Sequence, residues 1–177
     1  MRRLLFCICL AGLLIPQLVF SQNKEAAQVN MDNYVCMPCG NECDNKIYSA
    51  GGKCEQCQME LVRQFTVAFK TINPEDICSY ITSHPLAVLL DVRTKEEFEG
   101  KADPDFGTLK NAINIPVQEL QARVGELKKY KNREIIVYCS HSRRSPRASY
   151  MLMQMGFANV YNMAGGMSVF ADGSCKK

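Results

Sequence analysis

The chain has 177 residues, 47% of them hydrophobic and 22% charged, with 10 Cys, 11 Gly, 7 Pro and no Trp. That is globular material, long enough for one domain of average size and a smaller companion. The net charge of +3, which falls to +1 without Arg2 and Arg3, excludes a polyanion- or nucleic-acid-binding role on charge, and the absence of repeats and low-complexity tracts excludes a solenoid.

Residues 1–21 begin Met1-Arg2-Arg3, run apolar from Leu4 to Phe20 with a break at Pro16, and end at Ser21 before the polar Gln22-Asn23-Lys24-Glu25. This predicts a secretory signal peptide cleaved after Ser21. The apolar run sits at the lower edge of a bilayer-spanning length, so an uncleaved anchor is the alternative. Cleavage would remove Cys7 and Cys9, leave no stable membrane anchor, and place the mature protein in the periplasm or outside the cell. Eight cysteines would remain: Cys36, Cys39, Cys43, Cys54, Cys57, Cys78, Cys139 and Cys175.

Residues 22–33 are polar and lack an apolar period, which reads as a linker. Residues 34–62 form a cysteine-rich module with few bulky apolar side chains, too few to offset the entropy of ordering them. Metal or disulfides must supply the difference. Cys36-Met37-Pro38-Cys39 and Cys54-Glu55-Gln56-Cys57 are two knuckles of the kind that present four thiolates to one tetrahedral Zn²⁺. The expected ligands are Cys36, Cys39, Cys54 and Cys57. A disulfide knot competes in an oxidising compartment, Cys43 matters to the choice because five cysteines leave one unpaired under either scheme, and a front thiol accepting sulfur from Cys139 is a third reading.

From about residue 63 to 177 strands and helices alternate. Asn73-Pro74 opens a helix with Ile77 and Ile81 facing inward. Leu86 to Leu90, ending at Asp91, is an apolar run of the kind buried on both faces of a sheet. Ala112 to Ile115 is a second strand. Val117, Leu120, Val124 and Leu127 recur at helical spacing. Glu134 to Tyr138 is a third strand, leading into Cys139; Ser145-Pro146 starts a helix with Ala148, Met151, Leu152 and Met155 on one stripe, closed by Gly156. Asn159 to Asn162 is a last short strand. The pattern predicts an α/β fold, a parallel sheet with helices on both faces.

Ligands of such sheets bind beyond the carboxyl ends of the strands, where Cys139 stands. Cys139-Ser140-His141-Ser142-Arg143-Arg144 must curl tightly to reach the next helix, turning backbone N–H groups inward as an anion cradle. The helix N-terminus adds positive potential, as do Arg143, Arg144 and Arg147. A thiol in such a place loses its proton more easily than a free one and becomes a nucleophile. Only four residues separate Cys139 from Arg144, a smaller loop than the cysteine phosphatases use.

Tyr138-Cys139-Ser140-His141-Ser142-Arg143-Arg144-Ser145 resembles the active-site segment of the rhodanese family of sulfurtransferases. Three further segments are similar to that family in order: Leu89-Leu90-Asp91-Val92-Arg93 with Glu97-Phe98, Asn111-Ala112-Ile113-Asn114-Ile115-Pro116, and Ala164-Gly165-Gly166-Met167. The resemblance covers about residues 65–173. It implies a persulfide relay. Cys139 would take sulfur from a small sulfur-containing anion such as thiosulfate and pass it to cyanide or a thiol, with no cofactor needed for catalysis. Arg144 would anchor the loop or orient the donor, and Ser140, His141, Ser142, Arg143 and Ser145 would line the anion-binding loop. Asp91 and Arg93 read as a supporting ion pair, His141 as an exposed residue tuning local charge, and His84 as structural. Two departures stand out. Ser142 occupies a position where many members have Gly, and residues 101–109 replace a shorter rim segment.

Tyr34-Val35-Cys36 and Ala50 to Leu61 resemble a small heavy-metal-binding domain of secreted and metal-efflux proteins. Cys39 occupies that family's His position, which implies four-sulfur ligation. The alternative function is therefore an exported metal-binding or metal-sensing protein with a passive rhodanese scaffold; an anion-binding or phosphatase-like module is the third class. Cys78 reads as a small buried hydrophobe and Cys175 as part of a mobile tail.

Overall fold

The computed structural model describes residues 31–37 and 41–177. The predicted leader, linker residues 22–30 and Cys39 lie outside the described residues. Among the described residues, no helix is long and apolar enough to cross a membrane.

The cysteine-rich stretch forms a small antiparallel sheet from β1 (Tyr34–Cys36), β2 (Ile47–Tyr48), β3 (Gly52–Lys53) and β4 (Glu60–Arg63), in the order β2-β1-β4-β3. Cys36 and Gly52 both lie opposite Leu61. Strands of two to four residues bury little, and the core here is Cys36, Cys43, Cys54 and Leu61, flanked by Tyr34, Tyr48, Cys57 and Met59. Sulfur takes the place that branched hydrocarbon occupies in a larger domain.

The second sheet contains β5 (Lys70–Ile72), β6 (Val88–Asp91), β7 (Ile113–Asn114), β8 (Ile135–Tyr138) and β9 (Val160–Met163). All its pairs are parallel, in the order β5-β9-β8-β6-β7. Alternation along β6 and β8 divides the core into two layers. Leu90, Ile135 and Val137 pack with Leu120 of α3 (Leu120–Arg123) and with Ala148 and Leu152 of α4 (Arg144–Gln154). Leu89, Ile136 and Tyr138 pack on the opposite face with Ile77 and Cys78 of α1 (Ile77–Ser83). Helices therefore cover both faces of a parallel sheet, as predicted.

The differences from expectation are local. Asn73-Pro74 opens a 3-10 turn, Pro74–Asp76, before α1, because Pro74 supplies the φ of a first turn but no N–H. The helix expected from Val117 to Leu127 is α3 followed by a 3-10 helix, Val124–Tyr130, with Gly125 inside it. Leu120 and Leu127 still reach the core, so burial survives the change of winding. β5 is an edge strand with only Ile72 buried, which leaves no apolar pattern to read.

One correction is larger. Cys78 is buried in the core as expected, but Cys78 and Cys175 form a disulfide across 97 residues, so Cys78 is not a lone hydrophobe and the mobile-tail reading of Cys175 does not hold. The tail is also hydrogen-bonded: Lys110 N–H donates to the Cys175 carbonyl at 2.9 Å, and Lys177 N–H to the Thr108 carbonyl at 2.9 Å. Leu109 and Lys176 complete an antiparallel bridge.

Candidate active site and thiol cluster

β8 lies between β9 and β6, so its carboxyl end is the middle of the sheet edge. Cys139 follows directly from it and is 1% exposed. Within the connection to α4, Ser142 has φ 54 and Arg143 has φ −100 and ψ −44. A left-handed residue followed by a right-handed one turns successive N–H groups to the same side, the geometry of an anion nest. Ser142 adopts this conformation without being Gly, at a cost of about 1–2 kcal/mol. The Cys139 Sγ lies 3.4 Å from the Ser145 Oγ in the first turn of α4.

Arg144 does not point freely into the site. Its two terminal guanidinium nitrogens donate to the two Glu97 carboxylate oxygens, each at 2.6 Å. The Ser140 hydroxyl donates to the same carboxylate at 2.7 Å and accepts from Arg144 at 3.1 Å. Glu97 belongs to the short helix α2 (Lys95–Phe98), where it closes a capping box: Thr94 N–H donates to its Oε2 at 2.9 Å, while Glu97 N–H donates to Thr94 Oγ1. One buried carboxylate thus starts a helix and holds both ends of the Cys139 loop. Arg144, first, and then the Thr94 N–H and Ser140 hydroxyl bring the Glu97 carboxyl down to about 2, against the opposing effect of burial. Of the two roles expected of Arg144, the geometry matches the loop anchor.

The other side of the loop is held by backbone. After β9 the chain turns through Gly165 and Gly166, at φ 66 and 70. Met167 N–H then donates to the Cys139 carbonyl at 2.8 Å and Ser168 N–H to the Ser140 carbonyl at 2.9 Å. Gly166 is packed so tightly on Cys139 and Ser140 that a side chain there has no room.

Asp91 and Arg93 form the expected ion pair. Arg93 Nη2 lies 2.7 Å from Asp91 Oδ2, both side chains are fully buried, and Arg93 also donates to the Gly107 carbonyl and Thr108 Oγ1. The pair pins the 101–109 segment to the end of β6. That segment forms part of the rim: Phe106 meets the exposed His141 ring edge-on, centroids 5.5 Å apart. Arg143 and Arg147 are exposed. The loop residues Ser140, His141, Ser142, Arg143 and Ser145 are therefore contiguous with Cys139, while Asp91 and Arg93 support the rim from behind. The sequence reading places Glu97 only within a family segment; the Thr94-x-x-Glu97 spacing of a capping box is the signal for its position.

The second cluster lies in the front module. The Sγ atoms of Cys36, Cys43, Cys54 and Cys57 all lie within 4.8 Å of one another. Among the described residues no disulfide joins these four to one another, and Cys36 Sγ is 3.1 Å from Cys57 Sγ. The Tyr48 hydroxyl is 3.5 Å from Cys54 Sγ and is the main cause lowering that thiol to about 6, while burial is the main cause raising Cys36. Four sulfurs gathered in this way can hold a metal ion. Of the expected set, Cys36, Cys54 and Cys57 are brought together, Cys39 lies outside the described residues, and Cys43 joins them.

Comparison with known proteins agrees with the geometry of the parallel-sheet unit. The model of the rhodanese-like domain matches residues 78–172. The chain is 31% identical over 120 residues to a tRNA uridine(34) hydroxylase of Hamiltonella defensa subsp. Acyrthosiphon pisum, over 61% of this chain and 32% of that protein. It therefore spans about a third of that relative's length. It is also 29% identical over 100 residues to a sulfurtransferase of Allochromatium vinosum, over 56% of this chain and 86% of that one. A rhodanese-like domain protein from Staphylococcus aureus superposes with a TM-score of 0.51 at 23% identity, over 61% of this chain and 97% of that chain, a likeness of fold. A cysteine at the central strand end, a loop closed by Arg144 and a family match over more than half the length lead to one conclusion: the chain belongs to the rhodanese-like family.

Proposed function

We propose that the protein is an exported sulfurtransferase that moves sulfane sulfur through a persulfide on Cys139. The observation that carries this reading is the position of Cys139 Sγ at the head of α4, in a loop whose backbone is clamped from both sides. The Cys139 thiolate would attack the outer sulfur of thiosulfate. A new S–S bond forms, the bond to the inner sulfur breaks, and that bond's electron pair leaves with sulfite. Cyanide or a thiolate then attacks the outer sulfur of the persulfide, giving thiocyanate or a new persulfide and restoring the Cys139 thiolate. No metal or redox cofactor is required, because each step exchanges one sulfur bond for another. The loop N–H groups and the α4 N-terminus favour the anionic persulfide, and fixing them in advance spares their reorganisation. Arg144 acts as the loop anchor, with Arg143 and Arg147 supplying positive potential at the rim.

The four-residue gap between Cys139 and Arg144 argues against phosphatase chemistry, since a tetrahedral phosphate needs a wider loop. Export is supported by the leader and by the Cys78–Cys175 disulfide, a bond that persists in oxidising compartments. The front module is read as a structural zinc site, which would keep close thiols from pairing in such a compartment. The test is thiocyanate formation from thiosulfate and cyanide by wild type and Cys139→Ser. Loss of activity in the variant is the expected result; undiminished activity would overturn the assignment, and an inactive wild type with several donors would favour a passive scaffold.

A further inference from the structure

We propose that Cys43, rather than Cys39, is the fourth ligand of a metal site made with Cys36, Cys54 and Cys57, and that the site takes a thiophilic divalent ion of the zinc class. This deepens the reading of the front module as a metal site. The knuckle spacing favours Cys39, because two Cys-x-x-Cys pairs are symmetrical in sequence. Four described sulfurs, with Cys43 among them, already supply the full ligand set of a tetrahedral site.

Cys36 ends β1, opposite Leu61 of β4. The 3-10 turn Glu42–Asn45 then carries Cys43 inward, fully buried, while Glu42 and Asn45 stay exposed. On the other side, Cys54 N–H donates to the Met59 carbonyl and Gln58 N–H to the Cys54 carbonyl, each at 2.8 Å, with Gln58 at φ 58. This tight turn presents Cys54 and Cys57 together. The two lobes meet at the four sulfurs.

Size and chemistry agree with a tetrathiolate site. Zn–S bonds of about 2.3 Å set the sulfurs of a tetrahedron about 3.8 Å apart. The four Sγ atoms all lie within 4.8 Å of one another, a spread that such a tetrahedron fits with small side-chain adjustments. Among the described residues, Cys36, Cys43 and Cys54 are buried with Leu61 as the one buried aliphatic side chain of this core, so the cluster has little aliphatic packing to hold it together. A cation at its centre would supply that cohesion. The Tyr48 hydroxyl beside Cys54, and the backbone N–H groups of Gln56 and Cys57 that hydrogen-bond to the same sulfur, are the outer partners that fix a thiolate ligand. Soft sulfur donors select zinc or cadmium over magnesium or calcium.

The experiment uses the full chain, purified under reducing conditions and loaded with Zn²⁺ or with Co²⁺, whose sulfur-to-metal charge-transfer absorption counts bound thiolates. Cys39→Ser is expected to keep about one metal per chain and the full charge-transfer band. Cys43→Ser is expected to lose about a quarter of that band, one sulfur of four, and to bind zinc roughly tenfold or more weakly. Cys43→His should regain stoichiometric metal with the reduced band, which separates loss of a ligand from misfolding. The reverse order, with Cys39→Ser impaired and Cys43→Ser intact, would overturn the ligand assignment alone. A wild-type protein that binds no metal would overturn the assignment and the metal reading together.

Discussion

Arg144 and Glu97 are joined by two hydrogen bonds of 2.6 Å across 47 residues of sequence, which makes a helix-capping carboxylate the mooring of the Cys139 loop. Because the folded state holds the Glu97 carboxyl near 2, it binds a proton less readily than the unfolded chain, whose carboxyl titrates near 4.5. The contribution to stability is therefore complete above about pH 4.5 and is lost as pH falls toward 2. Its size is on the order of 3 kcal/mol. Glu97→Gln should flatten that acid limb in chemical denaturation measured between these pH values. An unchanged pH profile in the variant would show that the pair contributes nothing to folding.

Gly166 sets the opposite wall. A Cβ on it would lie 2.5 Å from the Cys139 carbonyl oxygen and 2.6 Å from that of Ser140, and both are backbone atoms with no freedom to rotate away. Gly166→Ala should displace the loop and reduce kcat/KM for sulfur transfer by roughly a hundredfold, as misplacement of reacting groups by about 1 Å does. Gly100→Ala is the control, because Gly100 has a similar φ of 72 but open space around it. That variant should lose about 1–2 kcal/mol of stability and no activity. Equal kinetics in the two variants would show that the contact on Cys139 does not organise the site.

The Cys78–Cys175 disulfide closes a loop of 97 residues and fastens the tail beside Thr108, whose hydroxyl accepts from Arg93. Replacing both cysteines by Ala should lower unfolding free energy by about 2–5 kcal/mol, chiefly because the unfolded chain regains conformations. Denaturant unfolding with and without reductant checks this: wild type should shift on reduction and the double variant should not.

What could be read from the sequence depended on the range of each interaction. β6 and β8 are buried on both faces, so their unbroken apolar runs announced strands, and the short Cys139–Arg144 loop followed from the end of one and the start of α4. Glu97 was harder, because its pairing with Arg144 depends on two sheet crossovers rather than on a local pattern. Cys78 and Cys175 belong to the same class: neither neighbourhood carries a sign of the other. In the sequence Cys43 belongs to no Cys-x-x-Cys pair, and it is the inward 3-10 turn Glu42–Asn45 that brings its sulfur to the cluster. β5 exposes two of its three residues, which hides an edge strand from any hydrophobic count.

The central claim is that Cys139 carries the transferred sulfur, and intact mass spectrometry after a single addition of thiosulfate tests it most directly. Wild type should gain about 32 Da, one sulfur atom, localised by peptide mapping to Cys139, and cyanide should remove it with release of thiocyanate. Cys139→Ser should gain nothing. Sulfur found on a front-module cysteine, or an equal gain in Cys139→Ser, would contradict the claim.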